Sequence, residues 1–544
     1  MKMRGVKKVS PLHLILALSL ILSAAGIWWG LPSLNGWAPD EIFPSRVLDG
    51  LLRAYSNGWF DKYPPLHFYL LSVIYAPFLL LHALHVLDLR QLSGYTVLYF
   101  LGRMLSVAMA VFAVYFVFKI GEEIRDRKTG LGAALITALI VPFEYYAKTI
   151  NLDVPYVFWF VLSLLFFVRI VKTHRRRDYL LFTAAAVLAV CTKDQAYGLY
   201  VLAPFAIVFS DIRWKKTRGR PPSFFRALLD PTYLYCLLLG AGLFGLVHNL
   251  LFNFRGFTQH IELITGPASK DFQMYANTLA GQLGLLGLTL RNIRFSLGWP
   301  LFILCAAGLA KSLIDRKKDS RLLWLLLFAV SYYVFYIALI RYDYDRFNLP
   351  VSILLSFFGG GLLSDVARGR WGGNRTVRAA AILIFAYSFF YSLSVDVLMI
   401  TDSRYRAEKW MKKNVGPEAV VGLASPLEYS PRLDGFRWIS LPLSPATLQR
   451  EPAPDYILFV TEYGQAFPED SKEGRFFSSL VRSREKYRQA FRYKTSLPWL
   501  PLRTEGIMTN IKAISPEIQI FKRVGTERTI EGESQRTARV PALP

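Results

Sequence analysis

The feature that most constrains this chain is a series of long apolar runs that recurs from residue 11 to about residue 400. A helix needs about 20 mainly apolar residues to cross the hydrocarbon core of a bilayer. Hydrophobic residues make up 53% of the chain, which is too much for an ordinary water-soluble enzyme. We therefore expect a polytopic α-helical membrane protein, with candidate spans at roughly 11–31, 96–119, 131–147, 154–171, 179–192, 197–210, 232–252, 296–314, 322–340, 347–364 and 377–397.

The loops between these runs alternate in charge, which predicts the topology. Cytoplasmic loops of membrane proteins carry an excess of Lys and Arg. We therefore place the N-terminal MKMRGVKK in the cytoplasm, ahead of an uncleaved first span. The loops 151–153, 193–195, 253–295 and 341–346 should face the outer side of the plasma (inner) membrane. The strongly basic, cytoplasmic loops are KTHRRRD (172–178), RWKKTRGR (213–220), KSLIDRKKDSR (311–321) and ARGRWGGNRTVR (367–378).

The formal net charge of +25 raises the question of a nucleic acid partner. Much of this charge lies in the basic loops, where it orients helices against anionic lipid. No basic module interleaved with aromatic residues is present, so we expect no nucleic acid binding. The three cysteines are scattered through apolar segments without pairing or metal-ligand spacing, and we interpret them as packing residues.

The apolar segment 64–86 conflicts with this topology. If it and 96–119 both crossed the membrane, every later basic loop would face outward. We therefore predict that 64–92 starts and ends on the outer side, as a juxtamembrane or re-entrant helical pair. Its prolines and histidines suit an interfacial segment better than a lipid-facing span. The alternative is a miscounted later span, at 179–192 or 197–210.

The composition changes after residue 400, where a small soluble α/β domain is predicted at 401–524 on the outer face. Residues 402–414 have an amphipathic helical pattern that ends before Gly416-Pro417. A second helix is expected near 473–490, and the tail 525–544 is polar and expected to be disordered. The predicted strands are AVVGLA (419–424), YILFV (456–460) and IQIF (518–521).

Three acids on the predicted outer side are candidates for catalysis. Asp40 and Glu41 follow the first span directly, within the acid-, base- and aromatic-rich stretch 36–69, and Asp153 lies between two later spans. Carboxylates close to a bilayer are usually paired or functional. Asp40 and Asp153 together could serve as a general base with an electrostatic or divalent-metal-binding partner. The alternative for Asp153 is a helix N-cap, because Val154-Pro155 follows it.

Four cations at predicted outer membrane ends are candidates for binding a phosphate at headgroup depth: Lys62, Lys193, Arg341 and Arg346. The alternative for each is snorkelling, or pairing with a nearby acid. Acids, together with cations able to bind phosphate, at the outer ends of the predicted helices indicate a lipid-phosphate substrate rather than an ion path.

Five stretches in order resemble the protein mannosyltransferase and aminoarabinose transferase superfamily: PDE, YPPLHFYLL, NLDVPYVFWF, CTKDQAYGLYVL and RFNLP. Its members are GT-C fold glycosyltransferases that use a polyprenyl-phosphate sugar donor. The resemblance covers about residues 10–400 and implies a GT-C transmembrane catalytic domain at 1–400. It also implies a first outer loop at about 32–95, with the PPL segment among its juxtamembrane helices.

The resemblance assigns roles to the candidate residues. Asp40 would be the base that deprotonates the acceptor hydroxyl, Glu41 would complete the acidic pair, and Asp153 would shape the acceptor and metal region. Lys62, Lys193 and Arg346 would contact the donor phosphate. Two departures stand out, since Tyr63 intervenes between Lys62 and the Pro pair, and Phe347 stands where Tyr is usual.

The implied activity is inverting transfer of a single sugar from a polyprenyl-phosphate donor to an acceptor hydroxyl on a protein, lipid or glycan. No nucleotide-binding motif is present, and no cofactor beyond a divalent metal is indicated. The main alternative is a lipid or solute transporter or flippase, which would place ionisable residues near mid-span. A non-catalytic membrane subunit, whose outer domain binds a partner, is a second alternative.

Overall fold

The computed structural model describes residues 10–51, 62–89, 91–218, 229–317, 319–369, 373–449, 451–482 and 486–524. The predicted tail 525–544, and part of the stretch 36–69, lie outside these residues. Within them, eight helices are long and apolar enough to cross a membrane, or nine if one bent pair forms a single span. The expected class, a polytopic helical membrane protein with a small C-terminal sheet, is confirmed, whereas the number of spans stays a prediction.

Helices dominate the chain up to residue 414, and two more belong to the C-terminal part. Short 3₁₀ turns and a π-helical stretch, Tyr333–Ile337, join several of them. In chain order the helices are α1 Pro11–Ala24, α2 Pro44–Asp49, α3 Leu66–Ala83, α4 Leu92–Ile124, α5 Arg127–Thr137, α6 Val141–Ala147, α7 Asp153–Thr173, α8 Arg176–Thr192, α9 Tyr197–Tyr200, α10 Ala203–Lys216, α11 Pro231–Val247, α12 Phe254–Thr265, α13 Pro267–Lys270, α14 Leu279–Ile314, α15 Ser320–Leu323, α16 Leu326–Tyr332, α17 Ala338–Ile340, α18 Leu349–Arg368, α19 Arg375–Ile400, α20 Ser403–Asn414, α21 Thr461–Gly464 and α22 Lys472–Arg482.

The helix bundle separates its loops into two ends. At one end, called the basic end, Arg125 after α4 pairs with Asp365 near the end of α18, with 2.6 Å between Nη2 and Oδ1. At the opposite end, Asp153 begins α7 and Lys193 follows α8, with 2.6 Å between Oδ1 and Nζ. The loops predicted as cytoplasmic and as outer therefore lie at different ends of the bundle, as their charges indicate.

Several predicted spans differ from single straight helices. α1 ends at Ala24 rather than at residue 31, and the chain then turns through 25–30. The predicted span 131–147 is broken into α5 and α6, which meet at 68° around Pro142. α14 is longer than predicted and is kinked at Gly298, whose φ of 68° lies in the left-handed region that favours glycine.

The problematic segment 64–86 forms one helix, α3, rather than a helical pair. Leu66 at its start packs with Cys191 near the end of α8. Tyr75 packs with Ile150 in the loop before α7, and Asp88 after the helix lies against Gly94 at the start of α4. All these neighbours lie at the end opposite the basic end. α3 is one of the eight helices that length and composition would allow to cross a membrane, but these contacts place both of its ends at the end opposite the basic end, in agreement with the loop charges.

The C-terminal part contains a five-stranded sheet in the order β2-β1-β3-β5-β4. β1 is parallel to β2 and β3, whereas β5 is antiparallel to β3 and β4. The three predicted strands are confirmed, as is the helix over 402–414, but β2 is new and the helix near 473–490 ends at Arg482. β4 was also not predicted; it lies at the edge of the sheet, and most of its residues are exposed or half-buried. The strands are β1 Val420–Leu423, β2 Arg437–Ser440, β3 Tyr456–Val460, β4 Tyr487–Tyr493 and β5 Ile518–Arg523.

The C-terminal part is packed onto the loop that follows α1. Trp29 donates its indole N–H to Asp402 at 2.9 Å, and Arg432 donates to the carbonyl of Leu31 at 2.7 Å. The Arg404 guanidinium lies 4.2 Å from the ring centroid of Trp37, within cation–π distance. These contacts fix the loop that carries the candidate acids.

Candidate functional site

Asp40 lies at the end of this loop, in an unusual backbone conformation. Its φ is 61°, in the left-handed region that Asp adopts more readily than most other residues. The turn directs its carboxylate to Arg346, with 2.7 Å between Oδ2 and Nη1. Lys62 lies on the other oxygen, with 3.7 Å between Nζ and Oδ1. The side chain of Asp40 remains 28% exposed, so it is accessible to a substrate.

Glu41 has the opposite environment. Its carboxylate is fully buried and accepts two hydrogen bonds from Arg103 of α4, from Nε and Nη2, at 2.8 Å each. It also accepts the backbone N–H of Ile150 at 3.0 Å. Arg103 in turn donates to the carbonyls of Ile27 and Trp29. Glu41 therefore anchors the Asp40 loop to α4 and to the loop before α7, and its expected part in catalysis stays a prediction.

Asp153 and Lys193 form the second pair of the site. The Asp153 side chain is fully buried, and its Oδ1 lies 2.6 Å from Nζ of Lys193, which is 11% exposed. The other oxygen of Asp153 is buried without a hydrogen-bond partner among the described residues. The adjacent Asn151 accepts the Asp153 backbone N–H at 2.8 Å and donates to the carbonyl of Asp40 at 3.4 Å. One short loop therefore links the two acids.

Arg346 lies between the two pairs. It belongs to the 3₁₀ turn Asp345–Asn348 that leads into α18. Its charge acts on both Asp40 and Asp153, and on Lys193. Its Nε is buried without a partner among the described residues, which leaves a donor for an anionic oxygen. The sequence candidates Asp40, Asp153, Lys62, Lys193 and Arg346 are thus brought together, and this group is called the charged centre below.

Arg341 is the one candidate cation that the described contacts place elsewhere. It follows α17 with a φ of 59°, and its guanidinium binds the side-chain oxygen of Gln273. Its carbonyl accepts the backbone N–H groups of Met274 and Tyr275. It therefore fastens the loop between α13 and α14, and its expected contact with the donor phosphate stays a prediction.

Burial and the charges of the centre shift the pKa values of two groups outside the candidate spans. Burial alone would raise the pKa of Asp40, but the Arg346 guanidinium and Lys62 ammonium outweigh it and hold that pKa well below its usual range. Burial lowers the pKa of Lys193, and the Asp153 carboxylate only partly offsets this effect. Asp40 is consequently ionised at neutral pH, and its pairing with the two cations weakens it as a base.

The donor set does not fit a divalent cation. The described residues contain no group of three or more His, Cys, Asp or Glu side chains placed to hold a metal. Asp40 already pairs with Arg346 and Lys62, and Asp153 with Lys193, so cations of the chain occupy the positions a metal would take. A metal bound by Asp40 and Asp153 stays a prediction from the sequence that this geometry does not support.

Sequence reasoning missed two residues that shape the site. Arg103 is a single arginine in the apolar run 96–119, and an intramembrane cation requires an acid partner, which was a usable signal. Asn510 donates to Oδ2 of Asp40 at 3.5 Å across 470 residues of sequence. No local sequence pattern predicts a contact between residues so far apart in the chain.

Comparisons with known proteins bear on this site. The family model described as dolichyl-phosphate-mannose-protein mannosyltransferase matches residues 96–229. The resemblance stated from the sequence is therefore confirmed over the part of the chain that carries Arg103, Asp153 and Lys193. A search of curated proteins found no significant match.

Three solved structures illustrate the similarity. ArnT from Cupriavidus metallidurans in the apo state is 12% identical, with a TM-score of 0.49 over 93% of this chain and 97% of that one. The Archaeoglobus fulgidus oligosaccharyltransferase with Zn and sulfate is 12% identical, with a TM-score of 0.47 over 94% and 88%. The S. cerevisiae protein O-mannosyltransferase Pmt1-Pmt2 complex bound to the sugar donor is 15% identical, with a TM-score of 0.29 over 54% and 38%.

Proposed function

We propose that this protein is a membrane glycosyltransferase that transfers a single sugar from a polyprenyl-phosphate donor to an acceptor hydroxyl. The observation that carries the proposal is the charged centre, in which Arg346 lies 2.7 Å from the accessible carboxylate of Asp40. The family match over 96–229 supports the same chemistry, because dolichyl phosphate is a polyprenyl-type carrier. The domain division at residue 400, and the outer placement of 401–524, belong to this proposal.

The cations of the centre suit the donor phosphate. Arg346 offers its buried Nε, and the Lys193 ammonium lies at the same centre on the Asp153 side. Lys62 is 51% exposed and approaches from the Asp40 side. Charge-assisted hydrogen bonds from such groups stabilise a phosphate most strongly when its negative charge grows, as it does when the sugar leaves.

Asp40 suits the acceptor. Its carboxylate takes the proton of the acceptor hydroxyl while the hydroxyl oxygen attacks the anomeric carbon of the sugar. The bond between that carbon and the phosphate oxygen breaks, its electron pair stays on the phosphate, and the cations balance the added charge. Attack opposite the leaving phosphate inverts the anomeric configuration. A phosphate that draws Arg346 away from Asp40 also makes the carboxylate a stronger base.

The alternative function is transport, because transporters contain broken helices and buried charged groups. One described helix pair, α5 and α6, is bent by 68°, and a buried charged group lies in and after α6. Lys148 lies 3.0 Å from Glu144 and also pairs with Asp396, and all three side chains are almost fully buried. This group lies next to the loop that carries Asn151, at the same end as the charged centre. A translocation path would need such groups further along the bundle, toward the basic end. The position of this group beside the charged centre therefore favours the enzyme.

The test is transfer of labelled sugar from a series of polyprenyl-phosphate sugars by the purified protein in lipid. We expect Arg346→Ala to lower kcat/KM for the donor by roughly 100-fold or more, the cost of removing a donor to a growing oxyanion. Arg255→Ala is the matched control, because Arg255 is exposed on α12 at the same end of the bundle. Arg341→Ala, in a third arm, tests whether that residue contacts the phosphate.

Two outcomes contradict the proposal. Equal loss of transfer in Arg346→Ala and Arg255→Ala would show that the charged centre has no special part in donor use. Absence of transfer by the wild type with every donor, together with movement of lipid or solute across vesicles, would establish the transporter.

A further inference from the structure

A segment of the C-terminal part leaves its sheet and packs against the helical bundle. Between β4 and β5 the chain runs through residues 500–515, and four of its apolar side chains are buried in the main core formed by the membrane helices. These side chains are at most 6% exposed: Leu502, Ile507, Ile511 and Ile514. Burial of apolar surface stabilises a fold by about 25 cal/mol per Å², so these four side chains stabilise the position of the segment on the bundle.

The middle of this segment, Met508–Asn510, is held at the charged centre and is called the strap. The amide nitrogen of Asn510 lies 3.3 Å from the carbonyl oxygen of Pro39 and 3.5 Å from Oδ2 of Asp40. The strap therefore contacts both the backbone just before Asp40 and the carboxylate itself. Asn151, from the helical bundle, donates to the Asp40 carbonyl on the other side of the same turn.

The strap also contacts the segment that carries Arg346. Thr509 donates its hydroxyl to Oδ2 of Asp345 at 2.8 Å, and the backbone N–H of Asp345 donates to the carbonyl of Met508 at 3.3 Å. Asp345 is fully buried and immediately precedes Arg346. Three consecutive strap residues thus bind the chain segments on both sides of the Asp40–Arg346 pair.

We propose that the strap is a positioning element of the catalytic centre and that Asn510 is the positioning residue for Asp40. The left-handed conformation of Asp40 is a sparsely populated one, which persists only where surrounding contacts hold it. Asn510 and Asn151 supply those contacts from two different parts of the chain. The C-terminal part therefore completes the active site, and this inference rests on the proposed transferase activity.

The test compares Asn510→Ala with Asn414→Ala, a control whose side chain is exposed on α20 and bonds only the carbonyl of Trp410 among its described contacts. We expect Asn510→Ala to lower kcat by roughly 10- to 100-fold, because small displacements of a reacting group are costly. The KM for the donor should not change. The acidic limb of the kcat–pH profile should move to higher pH, because a hydrogen bond to the ionised carboxylate is lost.

A second variant keeps the proposal testable if Asn510→Ala does not fold. Thr509→Val has nearly the same shape and removes two hydrogen bonds, the one to Asp345 and the one that the Thr509 hydroxyl accepts from the backbone N–H of Ile511. We expect a lower kcat in the folded protein, with the yield of folded protein measured alongside. Wild-type kcat and an unmoved acidic limb in both strap variants would overturn the proposal. A fall in kcat without movement of the limb, matched by Asn414→Ala, would overturn it as well.

Measuring Asp40→Asn in the same assay distinguishes failure of the strap proposal from failure of the proposed function. If Asp40→Asn is inactive and the strap variants behave as wild type, only the strap proposal fails. If Asp40→Asn retains full transfer, Asp40 is not the base, and a positioning role exerted through it fails together with that assignment.

Discussion

Asp40 and Glu41 are neighbours in the chain, yet their carboxylates have opposite surroundings. Asp40 is partly exposed and shares its charge with two cations that a substrate can recruit. Glu41 is enclosed, and Arg103 saturates it with two hydrogen bonds. A buried pair of this kind holds two elements together, and breaking it is far costlier than breaking an exposed one. We therefore separate the chemical role of the first acid from the positioning role of the second.

This separation predicts that Glu41→Gln acts mainly on stability. The variant leaves the Arg103 guanidinium buried without a carboxylate, which costs roughly 3–5 kcal/mol. We expect a lower melting temperature in detergent, and partial recovery in the double variant Glu41→Gln/Arg103→Met, where the buried charge is gone. A Glu41→Gln protein that melts like the wild type but has lost all transfer would instead give Glu41 a chemical role.

At the residue scale, the sequence identified most of the charged centre but not how its members pair. The short motifs around Asp40, Asp153 and Arg346 are local, so their functional character is visible without a structure. The partner of each acid is set by tertiary packing. Asp153 pairs with Lys193, 40 residues away, and Asp40 with Arg346, 306 residues away. Nothing in the sequence ranks these pairings above their alternatives.

At the element scale, hydrophobic length predicted helices well and their continuity poorly. The residues of α5 and α6 form one continuous apolar run in the sequence, because the bend between them, just before Pro142, changes the chain direction without changing the composition. Charge alternation in the other loops predicted both ends of α3 on one side of the membrane, and the contacts of α3 agree with that prediction. The edge strand β4 was taken for the end of a helix. Its sequence, YRQAFRY, contains no continuous apolar run, and most of its residues are exposed or half-buried, so the hydrophobic pattern did not indicate a strand.

At the scale of the whole molecule, the C-terminal part and the helical bundle meet on the Asp40 loop. Arg404 and Arg432 contact the loop after α1, and the strap contacts Asp40 through Asn510. Sequence analysis predicted a separate small domain with an open role. The packing of residues 500–515 against the bundle was not predictable, because four scattered apolar residues in a loop resemble ordinary packing positions.

The two-ended arrangement predicts the orientation of the molecule in the membrane. In a background with the three native cysteines replaced by alanine, we expect Asn414→Cys to react with a membrane-impermeant maleimide on intact cells. Arg177→Cys, at the basic end, should react only after permeabilisation, because basic loops are retained in the cytoplasm. Both positions are exposed. The reverse pattern would invert the orientation and place the charged centre on the cytoplasmic side.

The most direct test of the central claim is single-turnover transfer by Asp40→Asn with donor binding measured on the same preparation. The amide keeps the size of the side chain but cannot accept the acceptor's proton. We predict that the variant still binds the polyprenyl-phosphate sugar and that transfer falls by about 100-fold or more, the usual contribution of a general base. Transfer within a few-fold of the wild type, with donor binding intact, would contradict the account and remove Asp40 from the centre of the chemistry.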